Sequence, residues 1–364
     1  MMHRVLILLI ALLGSTGASA MAATGEPLAL QKWPSGEISV ESHSGQTVRI
    51  NDQGKWVSGD QDWVHSVSIG TGDTAAQSAV ATDIRGDGVT IRMVSASVTD
   101  QLGGQQLPAD VQPADAKLDV LILASTNADA LVSPSIQTLV TRWDPLLVVF
   151  SGLQPGSDSF ASVSEQYLSE SQSRSIPHNT LAICAADPEM PRTRQVIAMG
   201  DQAWQMPADL EKLFAAMESS CENSQQVFAK LSTAQMNFKP SNGTHTPRWN
   251  TEHMMGRQLQ FFSQIYHAVD PVVPVMNLNP KQMPPDYQAA HPEWDGAAEA
   301  KQMQLVSDFC RRFAYLLDGI GPDQKAPGSR WPSLRALLVQ MNHHYDEHTA
   351  NTVKKFELPD WPAK

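Results

Sequence analysis

The chain has 364 residues and a formal net charge of −12. This acidic balance argues against a nucleic-acid partner, because phosphate binding needs clustered Lys and Arg, and against an anionic membrane surface for the same reason. The length predicts two domains, each large enough to bury a core of its own.

Residues 1–20 have the pattern of a cleavable export signal. Arg4 precedes an unbroken apolar run over residues 5–13, and Ala18-Ser19-Ala20 fits the small-x-small cleavage pattern. The apolar run is too short to span a bilayer, which needs about 20 such residues. We therefore expect a periplasmic or secreted protein whose mature part has no membrane span.

Residues 21–203 are predicted to form a β-rich α/β domain of unknown role. Short apolar runs alternate there with Gly, Asp, Asn and Ser clusters, which is typical of strands and turns. The predicted strands are residues 38–40, 47–50, 64–69, 89–94, 120–123, 146–150, 181–183 and 195–199. A predicted helix over residues 133–142 separates two uninterrupted apolar strands, which indicates a β-α-β unit whose strands are covered on both faces.

After Pro207 a helical period replaces the strand pattern, and residues 207–360 are predicted to form a four-helix bundle. Four apolar stripes begin at Leu210, Met254, Val306 and Leu334. The second helix is predicted to have Asn250 as its N-cap and to stop at Asp270-Pro271, and the third to end near Gly319. The long Pro-rich segment 271–292 between these two helices fits a crossover better than a tight hairpin. The predicted fold class is thus a two-domain α+β protein.

The three cysteines, Cys184, Cys221 and Cys310, are too few for a disulfide framework. One disulfide with a spare thiol stays open for an oxidising compartment. Because Cys221 and Cys310 fall on the apolar helical stripes, we interpret them as small buried hydrophobic residues.

Seven of the eleven histidines follow Pro207, and three of them lie within residues 343–348. At 100° per residue from Met341, His348 lies about 20° and His344 about 60° away, on the apolar face. His343 lies about 160° away. Two imidazoles four residues apart on one inward face can bind the same ion, and burying them without partners is costly. The pattern predicts His344 and His348 as metal ligands and His343 as exposed.

Three neighbours of this pair are further candidates. Tyr345 points inward at about 40° from Met341, so it could donate a hydrogen bond to a metal-bound ligand. Asp346 and Glu347 could orient the ligands or act as a general base, or they could lie on a solvated helix face.

Two segments resemble motifs of the DinB superfamily. Trp249-Asn250-Thr251-Glu252-His253 resembles the Trp-Ser-x-x-Glu start of that family's second helix, and residues 344–348 match its His-x-x-x-His motif on the fourth helix. The resemblance covers roughly residues 207–360. It implies a four-helix bundle in which three histidines hold a divalent metal, Zn or Ni, and leave positions open for water or a thiol cofactor.

The same resemblance makes His253 the third ligand beside His344 and His348. The histidine of the family pattern lies further along the second helix, where this chain has Gly256 and Arg257. His253 is also about 150° from the centre of the apolar stripe through Met255 and Leu259. His245 and Glu252 are therefore alternatives for the third ligand.

The function implied by the resemblance is that of a metal-dependent transferase or hydrolase acting on an unknown small molecule, since some relatives are thiol transferases or thiol-dependent isomerases. The alternative is a non-catalytic binding or structural module whose histidine cluster is structural or metal-free. No catalytic residue is assigned, and a homodimer is compatible with both.

The N-terminal part weakly resembles a metallo-β-lactamase-type hydrolase that has lost its ligands, through its strand alternation and late β-α-β portion. It contains no His-x-His-x-Asp-His cluster, no Gly-rich phosphate loop after a strand and no Gly-x-Ser-x-Gly elbow. His43, His65 and His178 lack ligand spacing, and we treat them as ordinary residues.

Overall fold

The computed structural model describes residues 26–69, 79–104, 118–167, 171–185, 194–241 and 243–363. The predicted export signal lies outside these residues. Strands occupy the N-terminal part of the described chain, and the long helices follow residue 207. None of the described helices combines the length and apolar character needed to cross a bilayer.

The strands form two sheets. Their bounds are β1 Leu28–Lys32, β2 Ile38–Glu41, β3 Thr47–Ile50, β4 Trp56–Gly59, β5 Val64–Ile69, β6 Ala79–Gly86, β7 Val89–Val94, β8 Val120–Leu123, β9 Leu147–Phe150, β10 Ser171–Ile176, β11 Thr180–Ile183 and β12 Arg194–Met199. The antiparallel sheet has the order β11-β1-β2-β3-β4, and the mixed sheet has the order β10-β12-β9-β8-β7-β6-β5. Strands β10, β12, β9, β8 and β7 are parallel to one another, and β6 and β5 continue the sheet in antiparallel register.

Four short helices cover the outer face of the mixed sheet: α1 Ala96–Gly103, α2 Ala128–Leu131, α3 Pro134–Trp143 and α4 Asp158–Glu165. Strand β8 shows how alternation builds the layers, since Leu121 and Leu123 pack on these helices and Val120 and Ile122 face the antiparallel sheet. Strands β8 and β9 are parallel with α3 between them, which confirms the predicted β-α-β unit. All eight predicted strands are present, whereas β1, β4, β6 and β10 were not predicted.

The remaining helices are α5 Ala208–Phe228, α6 Thr233–Met236, α7 Pro247–Val269, α8 Gly296–Arg312 and α9 Leu334–Val353. The prediction of Asn250 as the N-cap of the second helix is wrong. Helix α7 begins at Pro247, because the Thr246 hydroxyl accepts the hydrogen bond of the Trp249 amide and proline suits the first helical position. The third helix also differs from expectation, since α8 ends at Arg312 and a 3₁₀ turn, Ala314–Leu317, follows it.

Cross-helix hydrogen bonds give the directions of the four long helices. Helices α7 and α8 run parallel, because Arg248 pairs with Glu299 near both starts and the Tyr266 hydroxyl donates to the Cys310 carbonyl near both ends. The connection over residues 270–295 therefore has to return along the whole helix length, as expected for a crossover. Helix α9 is antiparallel to α7, because Tyr345 bonds Gln258 and Thr352 bonds Asn250. Helix α5 packs against both α8 and α9.

The outer face of the antiparallel sheet packs on these helices. Ala29 of β1 and Ala182 of β11 join the helical core, whereas Leu28 and Leu30 turn to the opposite face and pack against the mixed sheet. The order of layers is short helices, mixed sheet, antiparallel sheet and long helices. The ring of His43 lies 6.1 Å from that of Phe309, and the ring of His178 lies 4.6 Å from that of Tyr315. These two histidines therefore pack against the helical part and do not form a cluster with each other.

The first turns of α7 and α8 are joined by a buried ion pair. The Arg248 Nη1 lies 2.6 Å from the Glu299 Oε1, and both side chains are 1% exposed. Arg248 also donates to the carbonyls of Pro292 and Trp294 at the end of the crossover segment. Burial raises the pKa of the Glu299 carboxyl, and the charge of Arg248 opposes that rise. Removing Arg248 alone would leave an unpaired buried acid.

We expect Arg248→Met to lower the free energy of unfolding by about 3–5 kcal/mol, because it leaves Glu299 buried without its partner. The double variant with Glu299→Met should recover part of this loss. Urea unfolding followed by helical circular dichroism measures both. Arg335→Met, which breaks the exposed pair with Asp323, is the control and should change the free energy of unfolding far less, because solvent and salt screen an exposed ion pair. Equal losses at the two sites would contradict the role given to Arg248.

Candidate metal centre

Three histidines from two helices meet at one end of the helical part. His253 lies in the second turn of α7, and His344 and His348 lie in the second half of α9. Because the two helices are antiparallel, the start of α7 lies beside the end of α9. One ligand nitrogen from each histidine can be chosen so that all lie within 4.8 Å of one another. In the described part of the chain, this is the one group of three or more His, Cys, Asp or Glu side chains with such spacing.

His253 is about 150° from the centre of the apolar stripe of its helix, and the structure explains why it is nevertheless directed inward. Helix α7 is buried on most of its circumference near its start, since α8, α9 and the crossover segment cover different faces. The apolar stripe through Met255 and Leu259 is only one of these inward faces. His253 points toward α9, where its ring centroid is 4.8 Å from that of His344 and 5.2 Å from that of His348.

The hydrogen bonds among the described residues do not occupy every nitrogen of the three imidazole rings. The Nδ1 of His348 is 2.9 Å from the Oδ1 of Asn250, whose Nδ2 donates to the Thr352 hydroxyl at 2.9 Å. Asn250 thereby fixes the His348 tautomer with its proton on Nδ1, so the lone pair is on Nε2. The Nδ1 atoms of His253 and His344 are buried and have no hydrogen-bond partner among the described residues. Unpartnered buried imidazole nitrogens fit a site for a divalent metal, which binds neutral imidazole.

Burial and mutual repulsion keep the three imidazoles neutral. Burial lowers the pKa of His253 to about 3, assisted by the nearby His344 and His348. Burial likewise lowers the pKa of His344 to about 4 and that of His348 to about 4. Nitrogen lone pairs are therefore available for a metal ion at neutral pH without loss of a proton.

The two alternative third ligands are engaged elsewhere. His245 is exposed and stacks on Trp249 with ring centroids 3.7 Å apart, and Trp249 in turn stacks on His253. The indole therefore separates His245 from the cluster. The buried carboxylate of Glu252 accepts hydrogen bonds from Asn279 and from the Ala290 amide, so it anchors the crossover segment. The structure brings His253, and neither alternative, together with the pair on α9.

The structure also places the neighbours of the pair, with Tyr345 in the core and Asp346 and Glu347 on the solvated face that was one of their two expected positions. The hydroxyl of Tyr345 donates to Gln258 at 2.6 Å in the helical core, so it is not available to a metal-bound ligand. Asp346 and Glu347 are exposed on α9, as is His343, whose predicted exposure is confirmed. The predicted burial of Cys221 and Cys310 is confirmed as well, and both are free thiols.

Residues 216–351 match the family model of the DinB superfamily. The match begins within α5, ends within α9 and includes all three histidines. It does not include the two sheets. No curated protein and no solved structure matches the chain significantly.

The metal-free protein should lose stability as the pH falls from about 6.5 toward 4. The pKa of each of the three histidines in the folded chain lies below its ordinary value of 6.5, so the unfolded chain takes up protons first as the pH falls. Each such proton costs about 1.4 kcal/mol per pH unit. Urea unfolding in the presence of a chelator at several pH values measures this slope.

The triple variant His253→Gln, His344→Gln, His348→Gln should have a shallower slope between pH 6.5 and 4 than the unmodified chain. His343→Gln is the matched control, because this exposed neighbour should leave the slope unchanged. If the triple variant keeps the full slope, the three imidazoles are not the groups held neutral by the fold.

Proposed function

We propose that residues 207–360 form a DinB-type four-helix bundle that binds one divalent metal ion through His253, His344 and His348. The observation that carries this proposal is the meeting of three buried or half-buried neutral imidazoles, with ligand atoms within 4.8 Å of one another, inside the segment that matches the DinB superfamily. Helical packing supports the bundle, because α5 and α7 each pack against both α8 and α9.

We further propose that the centre is catalytic, as a transferase or hydrolase site for a small molecule, rather than structural. When bound, a divalent ion such as Zn or Ni supplies Lewis-acid chemistry. Structural zinc sites usually have four protein ligands, whereas catalytic sites have three and an open position. Among the described residues, no fourth His, Cys, Asp or Glu joins the trio. His253 and His348 are only partly buried, which leaves an approach from solvent.

The protein's own groups would prepare this site. Asn250 orients His348, and the Trp249 ring stacks on His253 at 4.5 Å and restricts its rotation. The Trp249 indole donates to the carbonyl of Gln282, so the crossover segment supports the same ring.

We also propose that residues 21–203 form a sheet domain separate from the bundle and that the chain is exported. Both proposals rest on the sequence pattern.

Purified protein should contain one equivalent of Zn or Ni by elemental analysis. His344→Gln and His348→Gln should each lower the metal content well below one equivalent, because two imidazoles bind a divalent ion far more weakly than three. His343→Gln is the matched control on the same helix and should keep full occupancy. Absence of stoichiometric metal in the unmodified protein after reloading would refute the proposal. A closed shell of four protein ligands by X-ray absorption would favour the structural alternative.

Asn250→Ala should weaken metal binding roughly 10–100-fold, the usual effect of losing a group that orients a histidine ligand. Competition with a chromophoric chelator measures the affinity. Thr352→Val removes only the second member of the chain of hydrogen bonds and should have a smaller effect. An unchanged affinity in the Asn250 variant would show that His348 does not depend on this contact.

A further inference from the structure

Arg257 lies one turn after His253 on the same face of α7. Residues four apart on a helix are neighbours, so Arg257 and His253 share one face of α7. The charge of Arg257 adds to the effect of burial in lowering the pKa of His253 and His344. The Arg257 side chain is half-buried, so part of it is open to solvent.

This arginine has no carboxylate partner among the described residues. Its Nη1 donates to the neutral amide oxygen of Gln260 at 3.0 Å. Other arginines of the helical part pair with acids. These pairs are Arg248 with Glu299, Arg311 with Glu211 and Glu218, Arg312 with Glu41, and Arg335 with Asp323. Burial, and to a lesser extent the charge of Arg330, lower the pKa of Arg257, and the guanidinium of Arg330 itself lies over the ring of Phe261.

The charges around the histidines are mostly positive. After burial, the charge of Lys355 lowers the pKa of His348, and the exposed Glu347 is the acid that opposes it. A divalent ion would add two positive charges, and neutral imidazoles would not offset them. A partly desolvated cation beside such an ion is costly unless an anion binds there.

We propose that Arg257 determines the ligand class of the centre by binding a carboxylate of the small molecule, while a second donor atom of that molecule takes the open metal position. The inference rests on the proposed metal centre. Because Nη1 is bonded to Gln260, one remaining edge of the guanidinium is available, and its two N–H groups match the two oxygens of a carboxylate.

The test uses the full-length, metal-loaded protein and two hydroxamate probes. Succinic monohydroxamic acid and its terminal amide present the same metal-binding group with a charged or a neutral tail. Isothermal titration should show that the charged probe binds about 10–100-fold more tightly, as expected for a charge-assisted hydrogen bond. Arg257→Gln should reduce this ratio to near 1 at unchanged metal content. Arg257→Lys should retain part of it, because the charge stays and the planar fork is lost.

Arg330→Gln is the control, since this exposed arginine should not contact the tail, and its probe ratio should match that of the unmodified protein. A loaded protein that binds both probes equally, or an Arg257→Gln variant that keeps the preference, would overturn this inference and leave the metal centre standing. A chain that binds no metal would overturn the proposed function, and the inference with it. Circular dichroism of each variant confirms that the helices are intact.

Discussion

The candidate metal centre depends on the antiparallel packing of α7 against α9. Two polar contacts hold the register of these helices, since Gln258 bonds Tyr345 and Asn250 bonds both His348 and Thr352. A shift by one turn would move His253 by about 5.4 Å along α9 and take it away from the pair. The contact that sets the register therefore also orients His348. Stability and site geometry are coupled through one asparagine.

Below the histidines, a polar layer crosses the core of the helical part. Tyr345, Gln258 and Cys310 come from α9, α7 and α8 respectively, since the Tyr345 hydroxyl donates to Gln258 and the Gln258 amide donates to the Cys310 sulfur. Each member is fully buried, so each polar atom depends on its neighbour for a partner. Such a layer restricts how the helices can slide, because any other register leaves buried polar groups unsatisfied. It also explains why the Tyr345 hydroxyl is not available to a ligand at His344.

Periodicity in the sequence was enough for eight of the twelve described strands, the β-α-β unit, the four long helices and the inward direction of His344 and His348. It failed where contacts between distant segments of the chain determine whether a strand forms, where a helix begins or which way a side chain points. Strand β4 has no buried face, and most of β6 is polar or small, so neither shows the apolar run that marks a strand. The predicted start of α7 is wrong because Asn250, a good N-cap residue, lies inside the helix and bonds His348 and Thr352 of α9, although Thr246-Pro247 carried the correct signal. The family motif pointed to His253. Its angle on the helical wheel argued against an inward position, because α7 packs against three neighbours and so has more than one buried face.

Net charge describes the whole surface and says little about a single centre. This chain has a formal charge of −12, yet the charges of Arg257 and Lys355 act on the histidines, and the acids nearest in sequence, Asp346 and Glu347, are exposed. The buried carboxylate of Glu252 accepts its hydrogen bonds from the crossover segment and not from these cations. Among the described residues no carboxylate pairs with Arg257, whose Nη1 donates to the neutral amide of Gln260, so the charge on this face of α7 is opposite in sign to that of the whole chain.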